Sequence, residues 1–433
     1  MKLEQLYGLN WSSNICTSIF CSMLKFKFPN RTFLSLTSHD FRFVWMASMG
    51  TSGGYFFQQV FIGWVVYEIT ESAFITAMAL ALDTLPNLMG APLGGVLVDR
   101  LNKQKILIFG PIYQLLLNIG FGIGVYLDKI EVWHILTFVV LMGCSWILIE
   151  PARTAITADI LAPERLINGL ALIQLAFSIT RLAGPVMGGI VIEIFGTSAA
   201  IFTAAGVQLV AVFMASRIKI KLKPQESLTF KSALTGFADS VGMVIKNPIV
   251  QGLILLSFLG PMILIPFTSG LFPVYIKKVF DLGATELGLL LALIGVGSII
   301  GTIGLASLGD LKRPGVLIAL SILFGVISLV ILAQSTGIVM ASAGCLLIGV
   351  SFTGFQTLIG AMLQQSVTSE FRGRVAGLFM ASWGTVTFGS LAAGAFAEFM
   401  GAPFATMIGA GAMLVYGILV IGFYRNILKA NKN

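Results

Sequence analysis

Long apolar runs with few charges recur along this chain, and they constrain its fold more than any other feature. A helix needs about 20 apolar residues to cross a bilayer, whereas a transmembrane strand needs only about ten and alternates in polarity. The runs are of the first kind and predict helices. The predicted spans are 41–67, 73–97, 104–126, 133–157, 167–194, 199–217, 249–276, 286–309, 315–334, 338–362, 373–398 and 403–424.

The composition excludes a soluble globular protein. Of the 433 residues, 57% are hydrophobic and 11% are charged, and the mean hydropathy is +0.94, whereas soluble domains carry about 25% charged residues. In a bilayer every backbone polar group must be paired within the protein, which allows only helices or a closed barrel. The predicted fold class is therefore all-α: a polytopic membrane protein with twelve transmembrane helices in two six-helix bundles.

One long polar connection, residues 218–248, separates the spans into two groups of six. It is basic and is predicted to be a cytoplasmic linker with a surface helix. The N-terminal extension is expected to be disordered or to result from a misplaced start rather than to form a functional domain. The predicted units are the extension at 1–38, a six-helix bundle at 39–217, the linker at 218–248, a second bundle at 249–424 and a cytoplasmic tail at 425–433.

Lysine and arginine are distributed unequally between the two ends of the predicted spans. If the amino terminus is cytoplasmic, only Lys129, Lys277 and Lys278 face outward. Cytoplasmic loops of membrane proteins carry an excess of these residues, so both termini are expected in the cytoplasm. The net charge of +8 is then explained by anionic membrane lipid rather than by nucleic acid.

The two predicted bundles contain related segments. RLAGPVMGG (181–189) in the fifth span matches VTFGSLAAG (386–394) in the eleventh, and GGVLVDRLNKQK (94–105) matches GLASLGDLKRPG (304–315) more weakly. A tandem repeat of six spans predicts two bundles that move about a central site. The alignment pairs Gly184 with Gly389, Gly189 with Gly394 and Asp99 with Asp310.

Several motifs occur in a recognisable order along residues 41–424. They are FRFVW (41–45), QQVFIGWVVYEIT (58–70), LPNLMGAPLGGVLVDRLNKQK (85–105), EPARTAITADILAPERL (150–166), RLAGPVMGG (181–189) and SEFRGRV (369–375). In these motifs the chain resembles the major facilitator superfamily, and within it the bacterial exporters of the enterobactin-exporter and macrolide-efflux type. The resemblance implies alternating access and a location in the bacterial inner membrane.

The same resemblance implies roles for particular residues. The loop between the second and third spans is expected to form a gate in which Lys103 pairs with Asp159, and a simple role in setting the topology is the alternative. A motif in the fifth span resembles one that is associated with antiporters. The implied gating residues are Gly95, Asp99, Arg100, Lys103, Asp159 and Asp310, and the helix-kink motif is Gly184, Pro185, Gly188 and Gly189.

Three charged residues lie well inside predicted spans: Asp83, Glu150 and Arg181. A charge at the bilayer centre costs at least ~2.5–3.5 kcal/mol, so each should face a cavity or a partner. Asp83 and Glu150 are candidate proton carriers. Arg181 can bind an anionic substrate, pair with one of the two acids or brace its helix, and a pair with either acid competes with proton carriage by that acid.

Polar and aromatic residues share helical faces with these charges. They are candidates for contact with a proton or a substrate, although the aromatic rings can equally belong to the core. These candidates are Arg153, Tyr55, Gln58, Gln59, Trp146 and Gln356.

The sequence therefore predicts a secondary active transporter that exports a small amphiphilic molecule, drug-like or siderophore-like, in exchange for protons. The chain contains no phosphate-binding GxxxxGK[ST] segment, metal-ligand cluster or nucleophile–histidine set, so no enzyme activity, cofactor or metal is expected. The expected partners are the small-molecule substrate, protons and membrane lipid, and the protein is expected to be a monomer. A non-transporting sensor or scaffold on the same fold, and a lipid or solute transporter of the other direction, remain alternatives.

Overall fold

The computed structural model describes residues 33–219, 242, 244–245, 247–308 and 313–429. Most of the predicted N-terminal extension, most of the surface helix of the linker, Asp310 and residues 430–433 of the tail lie outside these described residues.

The chain is all-α in its described part, as predicted, and no strand occurs there. A short 3-10 turn at Leu34–Thr37 precedes the first long helix. The first half contains α1 (His39–Thr70), α2 (Ala73–Arg100), α3 (Lys103–Tyr126), α4 (Val132–Ile160), α5 (Pro163–Phe195) and α6 (Thr197–Ser216). The second half contains α7 (Pro248–Ser257), α8 (Ala284–Ser307), α9 (Pro314–Ala333), α10 (Ile338–Gln365), α11 (Ser369–Ala381), α12 (Val386–Met400), α13 (Ala402–Phe423) and α14 (Asn426–Lys429).

Nine helical segments in the described ranges are long and apolar enough to cross a membrane, if Val375–Met400 is counted as one segment. Two further apolar stretches, Ala73–Leu88 and Pro248–Leu264, are shorter, and α1 has 32 residues and includes a polar face. Apart from these two shorter stretches, the elements coincide with the predicted spans to within a few residues. The number of twelve crossings stays a prediction.

Two predicted spans are not continuous α-helices. In the seventh span, α7 is followed by π-helical turns at Gly260–Leu264 and Tyr275–Val279. Proline has no N–H group and its ring collides with the preceding turn of a helix, so it interrupts regular hydrogen bonding. The eleventh span changes to a 3-10 turn at Ser382–Thr385 between α11 and α12. The prolines in the seventh span are Pro261, Pro266 and Pro273.

Each half packs its helices closely, and the two halves meet along two helix pairs. In the first half α1 packs against α5 and α6, and α2 packs against α4; in the second half α10 packs against α8 and α9. Small residues allow this approach: a Cβ atom on Gly50 of α1 would lie 2.7 Å from the Cβ of Ala211 in α6. The halves meet where α2 contacts α12 and where α5 contacts α8. The predicted bundle boundaries stay predictions.

Charged residues gather at the two ends of the helices. The end at which α1 begins, called here the basic end, carries Arg42, Lys103, Lys105, Arg165, Arg217, Arg313 and Arg425. The end at which α1 finishes, called here the acidic end, carries Glu68, Asp128, Glu131, Glu193, Glu286 and Glu398, together with Lys129, Lys277 and Lys278. The positive-inside rule places the basic end in the cytoplasm, and this orientation stays a prediction.

Candidate functional site

A small cavity lies between the two halves. Its walls come from α1, α2 and α4 of the first half and from the seventh span and α8 of the second. The volume of about 60 Å³ accommodates a few water molecules and is well below the roughly 300–1,000 Å³ of a small-molecule site. The polar residues that line it are Tyr55, Gln58, Gln59, Thr76, Asp83 and Ser269.

Asp83 is the acidic residue among those that line this cavity. Tyr55 Oη donates to Asp83 Oδ2 across 3.5 Å, and Gln59 Nε2 donates to Tyr55 Oη across 3.3 Å. The other carboxyl oxygen, Oδ1, is buried and accepts no hydrogen bond from any described residue. Leaving a buried polar atom unpaired costs about 1–3 kcal/mol, so this atom requires water, a proton or a ligand.

The helices place these groups together through their periodicity and through one glycine. Tyr55, Gln58 and Gln59 lie three and four residues apart on α1 and therefore share a face. A Cβ atom on Gly143 of α4 would lie 3.1 Å from the backbone carbonyl carbon of Asp83. The absence of a side chain at Gly143 therefore allows α2 to approach α4 at the level of the carboxyl group.

Trp146 of α4 packs beside the ring of Tyr55. The rings of Tyr55 and Trp146 meet edge to face, with centroids 4.9 Å apart and an angle of 72° between their planes. Edge-to-face pairs are a favoured arrangement of aromatic rings. Trp146 thus supports the position of Tyr55 from the side of α4.

Glu150 and Arg153 form an ion pair on α4 that is separate from the cavity. The side chain of Arg153 is 2% exposed, and its Nη1 donates to Ser52 Oγ of α1 across 3.2 Å. The Glu150 side chain is 49% exposed. Glu150 therefore has a cationic partner on its own helix.

Arg181 does not pair with either intramembrane acid among the described residues. Its guanidinium carbon lies 5.9 Å from the ring centroid of Phe352 in α10, so it extends towards the second half. This distance is at the outer limit of a cation–π contact. Gln356, one turn further along α10, is buried, and its two amide atoms have no hydrogen-bond partner within the described part of the chain.

At the basic end, Lys103 Nζ donates to Asp159 Oδ2 at 2.8 Å, so the pair expected from the sequence is present. Asn102 caps α3 by accepting a hydrogen bond from Lys105 N at 3.1 Å. The gating role stays a prediction. Of the other implied gating residues, Gly95, Asp99 and Arg100 lie in α2 with side chains outside the described part, and Asp310 is not described.

The glycine motif of the fifth span packs α5 against two helices. The helix is continuous through Pro185. A Cβ atom on Gly184 would lie 2.9 Å from Phe56 Cβ of α1, and one on Gly188 would lie 3.4 Å from the carbonyl oxygen of Phe57. Gly189 faces the other half, because its Cβ would lie 2.9 Å from Thr285 Cα of α8. The kink role stays a prediction.

A family model described as transmembrane secretion effector matches residues 31–432. The chain belongs to this family of the major facilitator superfamily. It is a multi-pass membrane transporter, and its relatives include proteins that carry the names of efflux pumps and exporters.

The transporter is similar to several characterised proteins over most of its length. It is 25% identical to the enterobactin exporter EntS of Shigella boydii, over 88% of both chains. It is 20% identical to the multidrug efflux pump Tap of Mycolicibacterium fortuitum (73% of this chain and 78% of Tap) and 23% identical to macrolide efflux protein A of Streptococcus pyogenes (73% and 79%).

Solved structures share the fold. The nucleoside transporter NupG superposes with a TM-score of 0.72 at 12% identity, over 89% of this chain and 99% of NupG. The peptide transporter POT in complex with sulfate gives a TM-score of 0.72 at 12% identity, over 91% and 96% of the two chains.

The structure of the transporter also reveals contacts at the acidic end that the sequence had not indicated. Lys277 Nζ lies 3.3 Å from Glu68 Oε1 and 4.2 Å from the ring centroid of Trp64, joining the seventh span to α1. Glu193 and Glu398 contact the other half differently, because each accepts a hydrogen bond from a backbone N–H group there. Charged residues are common at helix ends, so the only signal for Glu193 and Glu398 is the repeat alignment, which pairs them when it is extended past its glycines. Among the described residues, no group of three or more potential metal ligands is close enough to hold an ion.

Proposed function

We propose that this transporter exports a small amphiphilic molecule by alternating access and accepts protons in exchange at Asp83. The observation that carries the proposal is the carboxyl group of Asp83, which lies in a small cavity between the two halves with one oxygen unpartnered among the described residues. Because the cavity lies between the two halves, their movement changes the contacts of the Asp83 carboxyl group and its access to water. Antiport requires this coupling between protonation and conformation.

A proton carrier must be tolerated in both charge states during the cycle. The described residues make no ion pair with Asp83 that would hold it permanently ionised, and the cavity has room for the water that delivers a proton. Tyr55 Oη donates a single hydrogen bond to the carboxyl group, across 3.5 Å. Glu150 is the weaker candidate, because Arg153 already compensates its charge.

The substrate class is supported by the relatives and by the side chains around the cavity. The relatives are named for enterobactin, macrolides and multiple drugs. Hydrogen-bonding groups beside aromatic rings suit molecules that are partly polar and partly apolar. We assign substrate contact to Tyr55, Gln58, Gln59, Trp146, Arg181 and Gln356, reached when the halves separate.

The remaining assignments follow the family resemblance. We propose that Lys103 and Asp159, with Gly95, Asp99, Arg100 and Asp310, form the gate at the basic end, and that Gly184, Pro185, Gly188 and Gly189 shape α5 for antiport. We place the protein in the bacterial inner membrane as a monomer with both termini cytoplasmic. Arg153 orients Glu150 and links α4 to α1 through Ser52.

Transport by purified protein in liposomes with an imposed pH gradient tests the proposal. The assay measures movement of a macrolide, a catecholate siderophore and a fluorescent cationic dye. We expect Asp83→Asn to reduce gradient-driven transport to the passive leak, and Asp83→Glu to retain it. Glu131→Gln is the matched control, because Glu131 caps α4 at the acidic end away from the cavity. Gradient-driven transport by Asp83→Asn at the wild-type rate would refute the assignment.

A further inference from the structure

Two carboxylates at the acidic end each bind the first turn of a helix in the other half. Glu398, near the end of α12, accepts hydrogen bonds from Ser72 Oγ at 3.0 Å and from Phe74 N at 3.1 Å, where α2 begins. Glu193, near the end of α5, accepts from Thr285 N at 3.2 Å, where α8 begins. One acid belongs to the second half and one to the first, so the contacts run in opposite directions across the interface.

The internal repeat relates the two contacts to each other. The register that aligns Gly184 with Gly389 and Gly189 with Gly394 also aligns Glu193 with Glu398. The register that aligns Asp99 with Asp310 also aligns Phe74 with Thr285. Donor and acceptor of one contact are therefore the repeat equivalents of donor and acceptor of the other.

The helices that carry Glu193 and Glu398 end at glycines with the same backbone conformation. Gly196 ends α5 with φ +85° and Gly401 ends α12 with φ +84°. Glycine is favoured at such positive φ values, where a Cβ atom would be strained. The backbone geometry that presents the two acids is therefore repeated as well.

The contacts have a definite electrostatic reason. The first N–H groups of a helix have no partner within the helix, and the helix dipole makes that end partially positive. A carboxylate from a neighbouring helix satisfies both needs. The contact exists only while the two helices remain adjacent, because donor and acceptor belong to different halves.

We propose that Glu193 and Glu398 are a matched pair of carboxylate caps that hold the transporter closed at its acidic end. Opening of that end separates α5 from α8 and α2 from α12, and it removes the carboxylate of the other half from the first turns of α8 and α2, which keep only their local contacts with Glu286 and Ser72. The Lys277–Glu68 contact closes the third side, between the seventh span and α1. The inference needs the halves to move, as in the proposed function, and it does not depend on Asp83 or on the substrate.

Distances between spin labels across the acidic end test the proposal without any transport assay. Spin labels attached at Lys129→Cys and Thr336→Cys, both exposed positions, report the separation of the halves by pulsed electron paramagnetic resonance. The native residues Cys16, Cys21, Cys144 and Cys345 are replaced by alanine first. The ratio of the open to the closed population is read from the distance distribution of the full-length protein in lipid nanodiscs.

We expect Glu193→Ala and Glu398→Ala each to raise the open-to-closed ratio about five-fold, the factor that a helix N-cap commonly contributes. The double variant should raise it about twenty-five-fold, because the two contacts lie in separate helix pairs. Glu193→Gln and Glu398→Gln keep the side-chain shape and lose the charge, so they should shift the ratio in the same direction by a smaller factor. High salt should reduce the wild-type closed population, since exposed charges are screened.

Glu131→Ala is the matched control. Glu131 also caps a helix at the acidic end, but it caps α4, and its side chain accepts from Trp133 Nε1 in the same half. It should leave the ratio unchanged. An unchanged ratio in the double Glu193 and Glu398 variant, or an equal shift with Glu131→Ala, would overturn the proposal. If the wild-type protein shows no gradient-driven transport in liposomes, that result counts against the proposed function, and the distance measurements still test the caps.

Discussion

The contact between Gly143 and α2 provides a prediction whose magnitude follows from the structure. Gly143→Ala places a Cβ atom 3.1 Å from the carbonyl carbon of Asp83 and 3.2 Å from Pro86 Cγ, with the carbonyl oxygen nearer still. Carbon atoms pack best at about 3.5–4.0 Å. Because the obstructing atoms are mainly backbone, α2 itself must move away from α4.

The expected energy is the difference between two opposing effects. Overpacking of a close contact costs about 1–3 kcal/mol, and replacing glycine by alanine inside a helix gains about 1 kcal/mol. Gly411→Ala in α13 isolates the second effect, because a Cβ atom there would meet nothing within 4 Å. Gly143→Ala should therefore be less stable than Gly411→Ala by about 1–3 kcal/mol, the overpacking cost alone.

Thermal unfolding followed by a thiol-reactive dye measures this difference. Cys345 is fully buried and reacts only on unfolding, whereas the exposed Cys144 is replaced by alanine together with Cys16 and Cys21. Gly143→Ala should unfold at a clearly lower temperature than Gly411→Ala, and it should also impair gradient-driven transport because Asp83 is displaced. Equal unfolding temperatures for the two variants would show that α2 does not approach α4 as described.

Two further predictions concern the ion pairs. Glu150→Gln leaves the buried Arg153 guanidinium without its counter-ion and should lower the unfolding temperature. The double variant Glu150→Gln/Arg153→Met should recover most of that loss, because replacing a buried ion pair by apolar groups is often neutral. A double variant that is no more stable than the single variant would contradict this. Lys103→Gln and Asp159→Asn should each slow transport while changing the free energy of unfolding by no more than about 1 kcal/mol, the usual range for a partly exposed ion pair. A double-mutant cycle of transport rates should show that the two effects are not additive. Fully additive effects would mean that the 2.8 Å contact between the two side chains has no role in transport.

Hydrophobic patterning was sufficient to predict the helices but could not predict their interruptions. The length of an apolar run is set by the thickness of the bilayer. The observed helices 103–126 and 402–423 therefore lie within one residue of the predicted spans 104–126 and 403–424 at each end. The seventh span reads as one apolar run, and only its prolines signal that the hydrogen bonding changes. Whether a proline kinks, breaks or is tolerated depends on the neighbouring helices.

The surroundings of Asp83 depend on tertiary packing, which a single sequence does not encode locally. A carboxyl group inside an apolar run is conspicuous in any sequence. That Tyr55 rather than Arg181 donates to it depends on the register between α1 and α2. Glu193 and Glu398 show the converse case, because a charge at a helix end is ordinary until its partner in the other half is known.

The claim on which the account depends is that the two halves tilt in opposite senses about the cavity that holds Asp83. Spin labels at Arg165→Cys and Thr368→Cys report the basic end, and the Lys129 and Thr336 pair reports the acidic end. The account predicts that lowering the pH shifts the two distances in opposite directions and that Asp83→Asn abolishes this dependence on pH. Distances that change in the same direction at both ends, or that respond to pH equally in Asp83→Asn, would contradict it.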